Sequence, residues 1–221
     1  MNSMRSVAFL FSLCFILSFG EFLRAQSYNS DTDALMSELQ ELYGQEDNYD
    51  IDFVMTIKYP GQDLIRQKGS YISQGNKYLI SMPDQKIICD GEKQWVWDIP
   101  NNYVQIYGAS EEAIFSPKGV FDLLYSDQYT YAMTYEGMRA GKPVKELEFK
   151  PNDDFTDLGK ARLTLSGQTN AIEKLELFYK DASRITLKLS QISNAASFDA
   201  GLFSFKKEDH PDITVDDLRL E

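Results

Sequence analysis

Few side chains in this sequence could do chemistry: His210, Cys89 and the paired carboxylates Asp153-Asp154 and Asp216-Asp217. A histidine can act as a base or a metal ligand near neutral pH. His210 is the only one, however, and no Cys or carboxylate lies beside it at ligand spacing. It reads as a solvated turn residue ahead of Pro211. Cys89 sits between Ile88 and Asp90 in an apolar segment, where a thiol is inert rather than activated. Paired carboxylates could serve glycoside hydrolysis, but in a chain with 34 acidic residues such pairs are ordinarily solvated loops. Asn152-Asp153-Asp154-Phe155-Thr156-Asp157 offers oxygen donors for calcium, yet it lacks the EF-hand spacing with its terminal bidentate glutamate. The nucleophile elbow Gly-x-Ser-x-Gly and the Gly-rich phosphate loops are absent. The expectation is a protein without catalytic residues, metal or cofactor.

Charge narrows the partners. The 221 residues carry 22 basic and 34 acidic side chains, a net charge of −12. Losing residues 1–25 removes Arg5 and Arg24 against Glu21, so the remaining chain stands near −13. Such a balance lacks the clustered Lys and Arg that displace counterions from nucleic-acid phosphates. It also speaks against a polybasic membrane anchor.

Residues 1–25 read as a secretory signal peptide. Arg5 precedes the apolar run Val7–Phe19, and Leu23-Arg24-Ala25 supplies a small residue before a break at Gln26. The alternative, an uncleaved membrane anchor, calls for about 18 apolar residues or more, and this run is shorter. Cys14 is followed by Phe15, with no small residues just before it, so a lipid-modified cysteine is not expected. After cleavage Cys89 is alone and no internal disulfide can form. Residues 26–221 form one domain, with no repeat and no Pro-, Gly- and Ser-rich linker.

The elements that must position any site are mostly strands. Asp33–Tyr43 is helical, with Leu35, Met36, Leu39 and Leu42 on one face and Gly44 ending the pattern. From Tyr49 the period becomes two: Ile51, Phe53, Met55, Ile57 and Tyr59 share a face, and Pro60-Gly61 closes the strand. Strands are expected at Ile65–Ser73, Lys77–Met82, Lys86–Cys89, Gln94–Asp98 and Tyr103–Tyr107. A helix from Ser116-Pro117 through Tyr125 follows. Strands resume at Tyr129–Tyr135, Val144–Lys150, Ala161–Ser166, Ile172–Tyr179 and Arg184–Ser190, with a last short one at Phe203–Phe205 before the acidic tail Asp209–Glu221. Connections this short force antiparallel neighbours. The fold class is therefore mainly β (α+β), a meandering antiparallel sheet of about eleven strands with two or three helices. Accumulated twist must curl so long a sheet, leaving a concave face for side chains, a helix or a ligand to fill.

With 13 Tyr, 2 Trp and 7 Met in the chain, aromatic and methionine stripes are the main candidates for that face. Trp95 and Trp97 share one side of a strand, as do Tyr78, Ile80 and Met82 on another and Phe53, Met55 and Ile57 on a third. Such stripes are normally core. Their adaptable side chains also suit a cavity that accepts varied hydrocarbon.

Several segments resemble one family. Ile88-Cys89-Asp90-Gly91-Glu92-Lys93-Gln94-Trp95-Val96-Trp97-Asp98 is similar to the Asp-Gly-x-x-x-Trp-x-aromatic-Asp hairpin of the periplasmic lipoprotein carriers of the LolA family. Gly69-Ser70-Tyr71 followed by Lys77-Tyr78-Leu79-Ile80 resembles that family's second and third strands. Phe198–Phe205 resembles its closing Phe-x-Phe strand, and Val215-Asp216-Asp217 its ending. The resemblance implies an incomplete, strongly curved antiparallel barrel with a helical lid over an apolar cavity, and no enzymatic activity. It implies a periplasmic, monomeric carrier that takes acylated lipoproteins from an inner-membrane release complex to an outer-membrane acceptor. Carried over by position, Phe53, Met55, Ile57, Tyr78, Ile80 and Met82 line the cavity, with Trp95 and Trp97 of the hairpin as candidates. Phe121 and Leu124 belong to a lid spanning Phe115–Tyr125. The sequence departs from the family where an arginine precedes a proline ahead of the third strand, for it has Gln74-Gly75-Asn76-Lys77 there. A binding module for a fatty acid or glycolipid, or an envelope-stress sensor domain on the same fold, is the alternative function.

Overall fold

The computed structural model describes residues 31–43, 48–109, 117–194 and 197–219. The expected signal peptide, Gly44, and Phe115 and Ser116 of the expected lid lie outside them.

Helix α1 covers residues 31–43. Strands β1 (Asn48–Lys58), β2 (Ile65–Gln74), β3 (Lys77–Ser81), β4 (Gln85–Cys89), β5 (Lys93–Asp98) and β6 (Tyr103–Gly108) follow as successive hairpins. After the short helix α2 (Pro117–Asp122) come β7 (Tyr129–Arg139), β8 (Lys142–Pro151), β9 (Leu158–Ser166), β10 (Ile172–Tyr179) and β11 (Arg184–Asn194). A final strand, β12, spans Thr214–Asp217. All belong to one 12-stranded sheet in the order β12-β6-β5-β4-β3-β2-β1-β11-β10-β9-β8-β7.

The sheet is thus two meanders joined by the first and last long strands. β1 pairs with β11 from Tyr49↔Asn194 to Lys58↔Arg184 and with β2 from Asn48↔Gln74 to Ile57↔Ile65. Being central, β1 buries Tyr49, Ile51, Phe53 and Met55 on one face and turns Asp50 and Asp52 to solvent. Strands β7 and β12 are the two edges, so the sheet curves without closing.

Both helices cover the same face, called inner below. Leu35, Met36 and Leu39 of α1 and Val120 and Phe121 of α2 pack against Phe53, Tyr78, Leu147, Leu163, Leu175 and Leu187 in one continuous core. Burying a Leu or Phe side chain contributes about 1.5–3 kcal/mol, so this layer holds the fold, and among the described residues Cys89 is free. Gly69 has a specific role in it. It stands opposite Phe53, and a Cβ there would lie 2.4 Å from Phe53 Cζ and 2.8 Å from the Ser81 carbonyl oxygen. Only glycine lets the ring lie over the backbone.

The C-terminal segment differs from expectation. Phe203–Phe205 is not a strand: Ala200–Phe203 forms a 3-10 turn capped by the Asp199 carboxylate, which accepts from the Gly201 N–H at 2.9 Å. The acidic tail is not simply solvated either. Its residues Thr214–Asp217 form β12, which runs parallel to β6 with Thr214↔Tyr103 and Asp217↔Ile106. The long excursion from β6 to β12 permits that parallel pairing, which a tight hairpin cannot make. The last strand is therefore β12 in place of Phe203–Phe205, and the sheet is not wholly antiparallel.

This segment also covers part of the outer face. Ile88, Trp95, Val104 and Ile213 form a second, smaller core there, with Leu79, Trp97, Ile106, Phe205 and Val215 against it. His210 lies in this cluster, its ring 4.6 Å from Trp97 and stacked 5.7 Å from Phe205. It is half-buried packing rather than a solvated turn residue.

Candidate functional site

An apolar pocket of about 380 Å³ opens where the C-terminal end of α1 meets β1, β10 and β11. Tyr49, Ile172 and Leu189 are its buried walls, and Leu42, Tyr43, Ala171 and Ile192 complete it nearer the surface. Its position follows from strand ends. Ile172 begins β10, Tyr49 lies at the start of β1, and Ile192 lies near the end of β11. Antiparallel pairing brings those ends together, and α1 leaves them partly uncovered. Leu42, 49% exposed, is the apolar helix residue that the core does not take up. It stands at the rim instead.

Three aromatic rings fix the wall toward α2. Phe121 is stacked on Tyr43 at 5.1 Å and on Tyr49 at 4.7 Å, with interplanar angles of 16° and 24°. The hydroxyls are spent on structure. Tyr49 Oη donates to the Tyr43 carbonyl at 2.7 Å, and Tyr43 Oη accepts from the Ile172 N–H at 2.9 Å. Burial pushes the Tyr43 phenol above its ordinary pKa of 10.0, outweighing the opposing Ile172 hydrogen bond. It stays neutral at physiological pH. Among the described residues no lining one is a carboxylate, amine, imidazole or thiol. Such a lining can desolvate hydrocarbon.

Helix α1 is held over this region by directional bonds as well as by packing. Gln40 Nε2 donates to the Leu124 carbonyl at 2.7 Å, and the Tyr125 hydroxyl donates to the Gln40 carbonyl. Asn170 Nδ2 reaches Glu38 Oε1 at 2.8 Å and Tyr131 Oη reaches Asp33 Oδ1 at 3.1 Å. Most of these bonds are near the surface, where water can replace them at small net cost.

The residues named from the sequence are not those lining this pocket. Phe53, Met55, Tyr78, Ile80, Phe121 and Leu124 are buried in the inner core, with Ile57 and Met82 packed against it. They fill the concave face together with α1 and α2. Trp95 and Trp97 must be removed from the lining set, because they belong to the outer cluster. The register explains this. Trp95 pairs with Ile88 on β4, whereas Tyr78 pairs with Cys89, one residue along and hence on the opposite face. The conspicuous hairpin motif is structural throughout. Asp90 Oδ1 accepts the Glu92 and Lys93 N–H groups, each at 2.9 Å. Gly91 adopts φ +93°, with the Asn76 side chain against it. That same Asn76 lies in the stretch where the family arginine and proline are missing.

The groups considered for chemistry are likewise occupied. Asp153 Oδ1 caps the Phe155 N–H at 2.8 Å and Thr156 Oγ1 accepts from Leu158 N at 3.3 Å. Among the described residues no three His, Cys, Asp or Glu side chains gather as a metal site. Asp216 and Asp217 point to opposite sides of β12, one accepting from Tyr103 Oη at 3.0 Å and the other paired with Arg219. Cys89 is buried, its thiol 3.8 Å from the Asn76 carbonyl.

The chain is thus an open, curved sheet with helices packed on one face and a nonpolar pocket at one end. The family described as outer membrane lipoprotein carrier protein LolA matches residues 71–206. The chain belongs to that family. No curated protein sequence matches it. Among solved structures, an uncharacterized conserved protein from Thermus thermophilus is similar over 85% of this chain and 99% of its own, with a TM-score of 0.53 at 8% identity. A DUF1329 family protein from Desulfovibrio piger covers 80% of this chain and 97% of its own (TM-score 0.49, 13% identity). A LolA superfamily protein from Nitrosomonas europaea covers 78% and 97% (TM-score 0.41, 12% identity). The Thermus protein shares the fold. Among the described residues no helix is long and apolar enough to cross a membrane.

Proposed function

We propose that this protein is a periplasmic carrier that shelters lipoprotein acyl chains and passes them from the inner to the outer membrane. The observation that carries this reading is the pocket of about 380 Å³, walled among the described residues by aliphatic and tyrosine side chains, in a chain of the LolA family. Each methylene moved from water into it is worth about 0.8 kcal/mol, so a ten-carbon segment supplies roughly 8 kcal/mol of driving force. That is enough to keep a lipidated protein dissolved and small enough to lose the chain to a membrane. A removable export signal, an inner-membrane release complex as donor, an outer-membrane acceptor and a monomeric working state complete the proposal.

The volume favours a second reading alongside it. Ligand clefts run from about 300 to 1,000 Å³, and this one lies near the lower limit. Its size suits one chain better than three, as a free fatty acid would require. One experiment separates the two. Residues 26–221 and an Ala171→Trp variant, which plugs the pocket from its rim, are incubated with a triacylated lipoprotein or a single-chain fatty acid and passed over a sizing column. Co-elution of lipoprotein with the parent protein, lost in the variant, is the expected result. Retention of fatty acid alone selects the second reading, and retention of neither sinks both.

A further inference from the structure

The outer face of the sheet carries a cleft that an acyl-chain carrier does not use. Its volume is about 620 Å³, and Arg139, Lys142, Thr164, Glu173, Lys174 and Lys188 contribute to its walls. Three strands place the floor. Lys188 of β11 is paired with Lys174 of β10, and Lys174 with Thr164 of β9. The tight β7–β8 turn, with Ala140 at φ 51° and Gly141 at φ 78°, brings Arg139 and Lys142 to the rim.

Two features distinguish this cleft from an ordinary charged surface. Its cations are unequally matched. Arg139 is paired with Glu146, and Lys174 with Glu176 at 2.8 Å. Among the described residues no carboxylate pairs with Lys142 or Lys188, and Glu173 is the only acid in the cleft wall. In a chain of net charge −12 the cleft wall carries four cations against one acid, with Lys68 and Arg66 on the same face of β2 and Asp50 and Asp52 beyond Val54 on β1. The second feature is Thr164. The residue is only 6% exposed, it lines the cleft, and its Oγ1 has no hydrogen-bond partner. A buried hydroxyl left without a partner is costly, and folded proteins rarely leave one so.

We propose that this cleft binds a phosphate-bearing ligand, with the Lys142 and Lys188 ammonium groups neutralising the phosphate and the buried Thr164 hydroxyl, turned toward the cleft by rotation about its Cα–Cβ bond, donating to one of its oxygens. A phosphomonoester carries nearly two charges at neutral pH and three acceptor oxygens. It therefore matches two unpaired lysines and one waiting donor. Strand β11 forms part of the wall of both cavities, through Leu189, yet the lining chemistry is opposite.

The test uses residues 26–221, with inorganic phosphate and glycerol phosphate titrated calorimetrically and vesicles of phosphatidylcholine, with or without phosphatidic acid, in a sedimentation assay. Expected is saturable phosphate binding that weakens as salt rises, at least about tenfold weaker in Lys142→Ala/Lys188→Ala and about tenfold weaker in Thr164→Val. Lys142 and Lys188 are exposed, so the double variant keeps its fold. Thr164→Val removes only an unpartnered hydroxyl, so its thermal stability is not reduced. Binding of free phosphate alone assigns a soluble ligand, and added recruitment to phosphatidic acid vesicles assigns a lipid headgroup. Ala171→Trp leaves either result unchanged. Absence of binding in both arms overturns the proposal, as does equal binding by the double variant and the parent.

Discussion

Replacing Phe121 with alanine probes how the core and the pocket share one wall. The ring is 5% exposed and lies against both Tyr43 and Tyr49. Large-to-small changes at such sites cost about 3–5 kcal/mol, the upper part of that range applying where neighbours cannot collapse. Each aromatic contact contributes about 0.5–1.5 kcal/mol of it. Collapse is restricted here because the hydroxyls of Tyr43 and Tyr49 are tied to Ile172 and Tyr43 backbone groups. At about 2–4 °C per kcal/mol for a domain of this size, Tm should fall by roughly 6–20 °C. The vacated volume adjoins the pocket through those two tyrosines, so bound hydrocarbon can extend into it. A saturating fatty acid at 100 times its Kd adds about 2.7 kcal/mol to any one-site binder. In Phe121→Ala the ligand-induced rise should exceed that of the parent at equal concentration, because the chain also fills the new void. Thermal melts by circular dichroism, with and without palmitate, read both quantities. A loss below about 1 kcal/mol would show that the ring is not a supporting wall. A ligand-induced shift no larger than the parent's would show that the pocket does not reach it.

Three further outcomes are expected. Gly69→Ala drives a methyl into the Phe53 ring and the Ser81 carbonyl, and should destabilise the fold by about 1–3 kcal/mol in urea titrations; a neutral result would mean that β2 and β3 can separate freely. A brominated fatty acid held in the pocket should leave the fluorescence of Trp95 and Trp97 unquenched, because both lie on the outer face, whereas strong quenching would place the hydrocarbon there instead. Asp217 is held at a pKa of about 2, chiefly by the side-chain hydrogen bond from Arg219. Since this folded-state pKa lies below the unfolded one, the Asp217 contribution is present above about pH 4 and disappears as pH falls through about 2. Carboxyl NMR titration should show that midpoint in the parent protein and an ordinary one in Arg219→Ala.

The sequence alone determined most of the strand series and which face of each strand is apolar. The alternation in Tyr49–Ile57 and the three-and-four spacing in Leu35–Leu39 are local periodicities, and burial of one face follows wherever the partner comes from. The turn chemistry of Asp90-Gly91 was equally local, since Asp90 caps its own hairpin. Which face became a cavity was decided only in three dimensions. Trp95 and Trp97 alternate as faithfully as Tyr78 and Ile80, but a register offset of one residue sends them to the opposite side. Strand β12, Thr-Val-Asp-Asp, has no apolar signature of its own and depends on β6, more than a hundred residues earlier in the chain. The pocket is the strongest case of this kind. Leu42, Tyr49, Ile172 and Ile192 come from element ends widely separated in sequence, and what they share is a place that two helices fail to cover. Periodicity specifies what is buried, but a void arises from how elements of finite length meet, and only the tertiary arrangement sets that.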